Sequence, residues 1–124
     1  MFGIKASDFT AVLQAIFSPI EKANEHNTDK GADTAVLGSA VSPTNTPCLF
    51  RIIVSIDKAT VFKADITKGG NTQTVEFNGG SDLAANALYI FDMLVHSGDT
   101  VNWKCTGAVT YLVFRVQEIV GGVQ

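Results

Sequence analysis

From residue 35 onward the chain is cut into strand-length pieces by clusters of Gly, Pro, Asn, Asp and Ser, and no helical period intervenes between them. Parallel strands need crossovers of a dozen or more residues, usually helical. The pieces must therefore pair antiparallel. About seven of them succeed one another at spacings of roughly 8 to 16 residues, the cadence of a sandwich or barrel.

The clearest piece is Cys48–Ile56, where Phe50, Ile52, Val54 and Ile56 share one face and Arg51, Ile53 and Ser55 the other. Asp57-Lys58 reads as a tight turn that folds residues 59–67 back on it as a hairpin with one wet face. Lys68-Gly69-Gly70-Asn71 predicts a second turn, into an alternating strand over 72–77. After Asn78-Gly79-Gly80, residues 83–87 read as one helical turn. Residues 88–96, apolar on both faces except at Asp92, predict a buried central strand. Strands at 100–105 and 110–120 close the chain, and 35–41, followed by Pro43 and Pro47, reads as a short or edge strand. One open sheet leaves a doubly apolar strand uncovered on one side, so the expected fold is mainly β: an antiparallel two-sheet sandwich or a jelly-roll-like barrel over residues 35–124.

The N-terminal part has a different period. Phe9, Val12, Leu13, Ile16, Phe17 and Ile20 recur at steps of three and four, with Ser7 placed as N-cap and Asp8 in the first turn, which predicts an amphipathic helix over 1–23 that ends or kinks near Pro19. Residues 24–34 are polar without period and read as a linker. The stripe of Phe9, Val12, Leu13, Ile16 and Phe17 is too apolar to be left in water, so it predicts an assembly interface, either with a neighbouring subunit or with a larger shell. Asp92 joins that set as an interface-facing acid in an apolar strand.

Catalytic readings find little support. The only histidines are His26, in the polar stretch, and His96, at a strand end, too few for a nucleophile system. Asp57 and Asp99 occupy turns, where Asp bonds its own backbone. Asn27, Asp29 and Asp33 around Gly31 lack the alternation and terminal Glu of a calcium loop, so no metal is expected. The doublets Gly69-Gly70, Gly79-Gly80 and Gly121-Gly122 open no helix and precede no Lys-Ser or Lys-Thr, so they read as turns rather than phosphate cradles. Trp103 shares a face with Val101 and Cys105 and reads as core rather than as a sugar platform. No cofactor is expected.

Twelve acidic against nine basic side chains, with no basic block, argue against nucleic acid as a partner. No window approaches the roughly 18 apolar residues of a membrane helix. Asp8, Thr10 and Gln14 interrupt the apolar stretch after Lys5, against a secretory signal. Cys48 and Cys105 are read as two buried small hydrophobes, with a bridge between them left open.

Residues 89–103 (Tyr-Ile-Phe-Asp-Met-Leu-Val-His-Ser-Gly-Asp-Thr-Val-Asn-Trp) and 111–119 (Tyr-Leu-Val-Phe-Arg-Val-Gln-Glu-Ile) resemble the closing strands of small virion proteins of tailed and icosahedral viruses. There a Gly-Asp-x-x-Asn turn precedes the penultimate strand and a Val-x-Glu-Ile ending closes the sandwich. The resemblance spans about 35 residues. It implies a β-sandwich that trimerises or decorates a capsid without catalysis. The low charged fraction, 17%, and the orphan apolar stripe point from the residues alone to an assembling structural domain that forms a homo-oligomer, a trimer before a dimer; joined to what the resemblance implies, the expectation is a non-enzymatic virion component, such as coat, decoration, spike or tail. The alternative is an extracellular or cell-surface sandwich that binds carbohydrate or peptide through its loops.

Overall fold

The computed structural model describes residues 19–119. Its strands are β1 (Pro19–Lys30), β2 (Cys48–Ile56), β3 (Phe62–Lys68), β4 (Asn71–Glu76), β5 (Tyr89–Val95), β6 (Thr100–Cys105) and β7 (Val109–Ile119), with one 3-10 turn at Asn78–Gly80. They form two antiparallel sheets: a four-stranded sheet in the order β1-β7-β2-β5 and a three-stranded sheet in the order β4-β3-β6. The free edge of β6 is lined by residues 35–41, which bridge to it at Ala35–Lys104 and Val41–Val101. Between those bridges the Asn102 side chain stands in for a ladder, accepting from Leu37 N–H (3.1 Å) and donating to the Leu37 carbonyl (2.9 Å). The edge-strand reading of this segment is thus met by two single bridges and a side chain.

Period-two alternation accounts for the core. Cys48, Phe50, Ile52, Val54 and Ile56 of β2 are all buried while the residues between them are partly open. Facing them are Phe62 and Ala64 of β3 and Val101, Trp103 and Cys105 of β6, with Leu112, Phe114 and Val116 of β7 beside β2. Aromatic rings join the sheets: Trp103 lies 5.1 Å from Phe114 and 6.3 Å from Phe50, and Phe62 lies 6.3 Å from Phe114. Each such side chain contributes about 1.5–3 kcal/mol by burial, before entropy is subtracted. Trp103 is core, as its face predicted.

Both cysteines are buried and unbridged. Burial raises the Cys48 thiol, with the Glu118 charge adding to it, and pushes Cys105 up to about 11, so little thiolate exists at neutral pH. A thiol reagent is therefore expected to label neither cysteine in the folded protein and both after denaturation. Rapid labelling of the native protein would contradict this packing.

Several local expectations are corrected. Residues 19–30, read as the tail of a helix and a polar linker, form strand β1; the rest of the helix reading, with Phe9, Val12, Leu13, Ile16 and Phe17, lies outside the described residues. β1 shows no clean alternation because its ladder with β7 shifts register three times and Asn27 takes a left-handed φ of 52°. The strand is imposed by pairing with β7 rather than by its own pattern. Asp57-Lys58 does not close a hairpin, since β2 and β3 belong to different sheets. The chain crosses between layers there, and the Asp57 carboxylate accepts from Thr110 N–H (2.9 Å) and Tyr111 N–H (3.0 Å), which holds its pKa below the usual range. Residues 83–87 are not helical: Leu83 is fully buried and bridges to Thr60. The Gly69-Gly70 turn does join β3 to β4, with both glycines at positive φ (59° and 81°) as a two-residue hairpin requires. Finally, the strand read as central and doubly buried, β5, is an edge strand with one open face.

Candidate interaction surface

The outward faces of the two sheets have opposite chemistry. On the three-stranded sheet, Lys63 pairs with Asp33 (2.9 Å) and Lys104 lies 3.2 Å from Asp65 and 3.7 Å from Asp33, while Thr67 and Thr72 share a hydroxyl contact of 2.7 Å. The Asp33 pKa is lowered by the hydrogen bond from Lys63 first and then by the charge of Lys104. This face is suited to water. Asp33, considered as a loop ligand for calcium, is committed to two lysines.

On the four-stranded sheet the outward residues line up across the strands in rows. The first row runs Pro19, Ile119, Leu49, Leu94, apolar on all four strands. The second runs Glu21, Gln117, Arg51, Asp92, and the third carries Arg115, Ile53 and Ile90. Ile90 and Leu94 are each 58% exposed, and Leu88 just before β5 is 66% exposed. Alternation explains the placement: Tyr89, Phe91, Met93 and Val95 turn inward, so Ile90, Asp92 and Leu94 must turn out.

Asp92, the acid singled out in the sequence, sits in the middle of this face. It accepts two hydrogen bonds from Arg51 directly across the ladder, Nε at 2.9 Å and Nη2 at 3.0 Å. That fork lowers the Asp92 pKa chiefly through the hydrogen bond. Arg115 makes a similar fork to Glu21, at 3.2 and 3.1 Å. The four charges of these rows are therefore matched in two pairs, which lie between the apolar first row and Ile53 and Ile90. Exposed pairs of this kind contribute less than about 1 kcal/mol to stability.

One charged group escaped the sequence reading. Glu118 lies fully buried at the inward end of β7, where its carboxylate accepts from Thr44 N–H (2.7 Å), Asn45 N–H (3.0 Å) and Asn45 Nδ2 (2.9 Å), with Lys22 Nζ at 3.5 Å. Burial pushes its pKa up, but the bonds from Thr44 and Asn45 and the Lys22 charge outweigh that and leave it lowered. Its parity was the available signal, since Leu112, Phe114, Val116 and Glu118 fall on one face. This carboxylate is an anchor for the 42–47 loop, not an open reactive group.

His26 and His96 are both exposed, on β1 and just past β5. Among the described residues no group of three or more His, Cys, Asp or Glu side chains is close enough to hold a metal ion, and no helix is long and apolar enough to cross a membrane. A shallow depression between β3, β4 and the turn before β6 is lined by Ile66, Lys68, Asn71, Thr72, Gln73 and Asp99. Asp99 is already engaged there, accepting from His96 N–H at 2.9 Å. What the fold defines, then, is an antiparallel sandwich with a hydrophilic outward face on one sheet and, on the other, an outward face that carries an apolar row beside two ion pairs.

No family model and no curated protein matches this chain. Among solved structures it is similar to a protein described as a pentameric capsid protein isolated from metagenomic phage sequences, at 15% identity and a TM-score of 0.41, over 96% of this chain and 83% of that one.

Proposed function

We propose that this chain is a non-enzymatic structural component of a virion, a jelly-roll sandwich that self-associates and docks on a larger protein shell. The observation that carries the reading is the apolar first row of the four-stranded sheet, with Ile90 and Leu94 exposed beside a free strand edge. An exposed apolar row on one sheet, opposite a charged face on the other, marks an interaction surface. The strand order supports the jelly roll: β1-β7-β2-β5 packs against residues 35–41, β6, β3 and β4, so that four segments lie in each layer, and every successive pair of segments except β3 and β4 crosses between them. The assembly interface is the N-terminal stripe of Phe9, Val12, Leu13, Ile16 and Phe17 together with the face around Asp92, and a closed homo-oligomer, a trimer in the first instance, is the form it takes.

The mass of the purified protein by light scattering tests this. A stable multiple of the monomer mass is expected, and a monomer that persists at high protein concentration would overturn the reading.

A further inference from the structure

We propose that β5 pairs antiparallel with β5 of a second copy of this chain, so that the four-stranded sheets of two molecules join edge to edge into one continuous sheet. The pairing rests on the self-association proposed above and names the strand at which two chains meet.

The two sheets have one strand at each end, and three of these end strands carry a feature that discourages further pairing. β1 shifts register three times and takes a left-handed φ at Asn27, which spoils its outer side as a ladder. β6 is lined by residues 35–41. β4 is polar apart from Val75 and ends on Glu76. β5 has none of these devices. It keeps seven successive partners on β2 without a shift, and no Pro, Gly or Lys occurs between Leu88 and Val95. Its one charge, Asp92, is already held by Arg51. Among the described residues no bridge or backbone bond from another segment reaches its outer side. A regular, apolar and unguarded edge is a template for one more strand.

The make-up of this edge selects the strand that fits it. Leu88, Ile90 and Leu94 are exposed on the outward side. Tyr89, Phe91 and Met93 turn inward, yet they are only partly buried, whereas Val95 is fully buried. The rings of Phe77, just past β4, and Tyr89 lie 4.8 and 5.8 Å from Phe91, so the apolar interior remains partly open between the ends of the two sheets. The arriving strand must therefore be apolar on both of its faces. A polar strand such as β4 would bury hydroxyls and amides there, whereas β5 itself covers the outer column with aliphatic side chains and the inner one with aromatic side chains and Met93.

Charge sets the register. Two copies of one strand pair about a two-fold axis, and an axis at Asp92 places two carboxylates directly opposite each other, which is unfavourable. An axis at Phe91 avoids this. Leu88 then faces the partner's Leu94, Tyr89 faces the partner's Met93, and Asp92, still forked by Arg51, lies opposite the partner's Ile90. The contact is isologous, so it joins two chains, or two rings whatever number closes each ring.

Disulfide trapping between two full-length variants tests the pairing. Leu88→Cys and Leu94→Cys are made separately, at positions that are 66% and 58% exposed, while the native Cys48 and Cys105 are buried. Opposed residues of an antiparallel pair fall within disulfide reach, whereas two copies of position 88 lie roughly 20 Å apart in this register. Mild oxidation of an equimolar mixture is expected to give a covalent species of twice the chain mass, and neither variant alone to give one. Adding Ile90→Lys to both variants should abolish it. A mixture that does not cross-link while the wild type is oligomeric by light scattering overturns the edge pairing and leaves self-association standing. A covalent dimer from either variant alone overturns the register and with it the pairing as drawn. A wild type that stays monomeric, with no cross-link in the mixture, overturns both. Hydrogen exchange of the wild type needs no variant: β5 amides are expected to slow over the concentration range in which the mass rises, with those of β4 unchanged. Protection of β5 that is already complete in the monomer means that the chain covers its own edge, and overturns the pairing.

Discussion

Glu118→Ala is expected to destabilise the domain by about 3–5 kcal/mol, measured as the shift of the denaturant midpoint at constant slope. The substitution leaves Thr44 N–H and Asn45 N–H without an acceptor, frees Asn45 Nδ2 and strips Lys22 of its nearest carboxylate. A buried donor without a partner costs about 1–3 kcal/mol. Glu118→Gln keeps one acceptor oxygen but turns an amide NH2 toward groups that are themselves donors, so it is expected to fall between wild type and alanine. The pH dependence has a definite sign. Because the folded-state pKa of Glu118 is below its ordinary value, its contribution is fully present above that ordinary value and is lost as pH falls through the folded pKa. Asp57 and Asp92, also lowered, act in the same direction. The wild type should lose stability on acidification, and Glu118→Gln should lose less over the same interval. An equal acid loss in both would show that Glu118 is not the group responsible.

Trp103→Ala is expected to cost about 3–5 kcal/mol by thermal or chemical unfolding. The indole, carried by the three-stranded sheet, packs against Phe50 and Phe114 of the four-stranded one, so its removal opens a cavity between the layers. Trp103→Phe is the informative companion. It keeps a ring against Phe114 and deletes an indole N–H that has no hydrogen-bond partner in the fold, so part of the packing loss is offset and about 1–3 kcal/mol is expected. If phenylalanine costs as much as alanine, the orphan N–H carries no penalty and the cavity alone decides.

How much of the fold is legible in the sequence depends on whether a segment's own alternation decides its environment. Cys48–Ile56 has five inward apolar positions, and its pattern places both faces correctly. Residues 62–68 and 71–76 follow from a glycine turn whose positive φ angles suit a tight hairpin. β1 is invisible because its residues are largely polar on both faces and its ladder is bulged; only β7, at the far end of the chain, makes it a strand. Asp57-Lys58 misleads because a turn between paired strands and a crossing between sheets draw on the same residue types. β5 is the most instructive case. Apolar residues on both faces imply burial on both faces, yet Ile90 and Leu94 face outward at an edge. The pattern reports an apolar outer face, and does not tell burial under a second layer from an open edge. Asp92 stands out in the sequence as an unusual acid, but its partner Arg51 lies across a ladder whose register no local pattern contains.

The position of β7 has a consequence for the order in which the protein comes into being. It is the last of the described strands to be synthesised, and it lies between β1, the first, and β2. Until it emerges from the ribosome β1 has no partner in the sheet, and the row from Pro19 to Leu94 lacks Ile119, its second member. Pairings this distant along the chain also form slowly. A nascent chain therefore cannot display the complete row, which comes into existence only with a finished domain. Timing is thus written into topology: the complete row appears only once the chain has closed on itself.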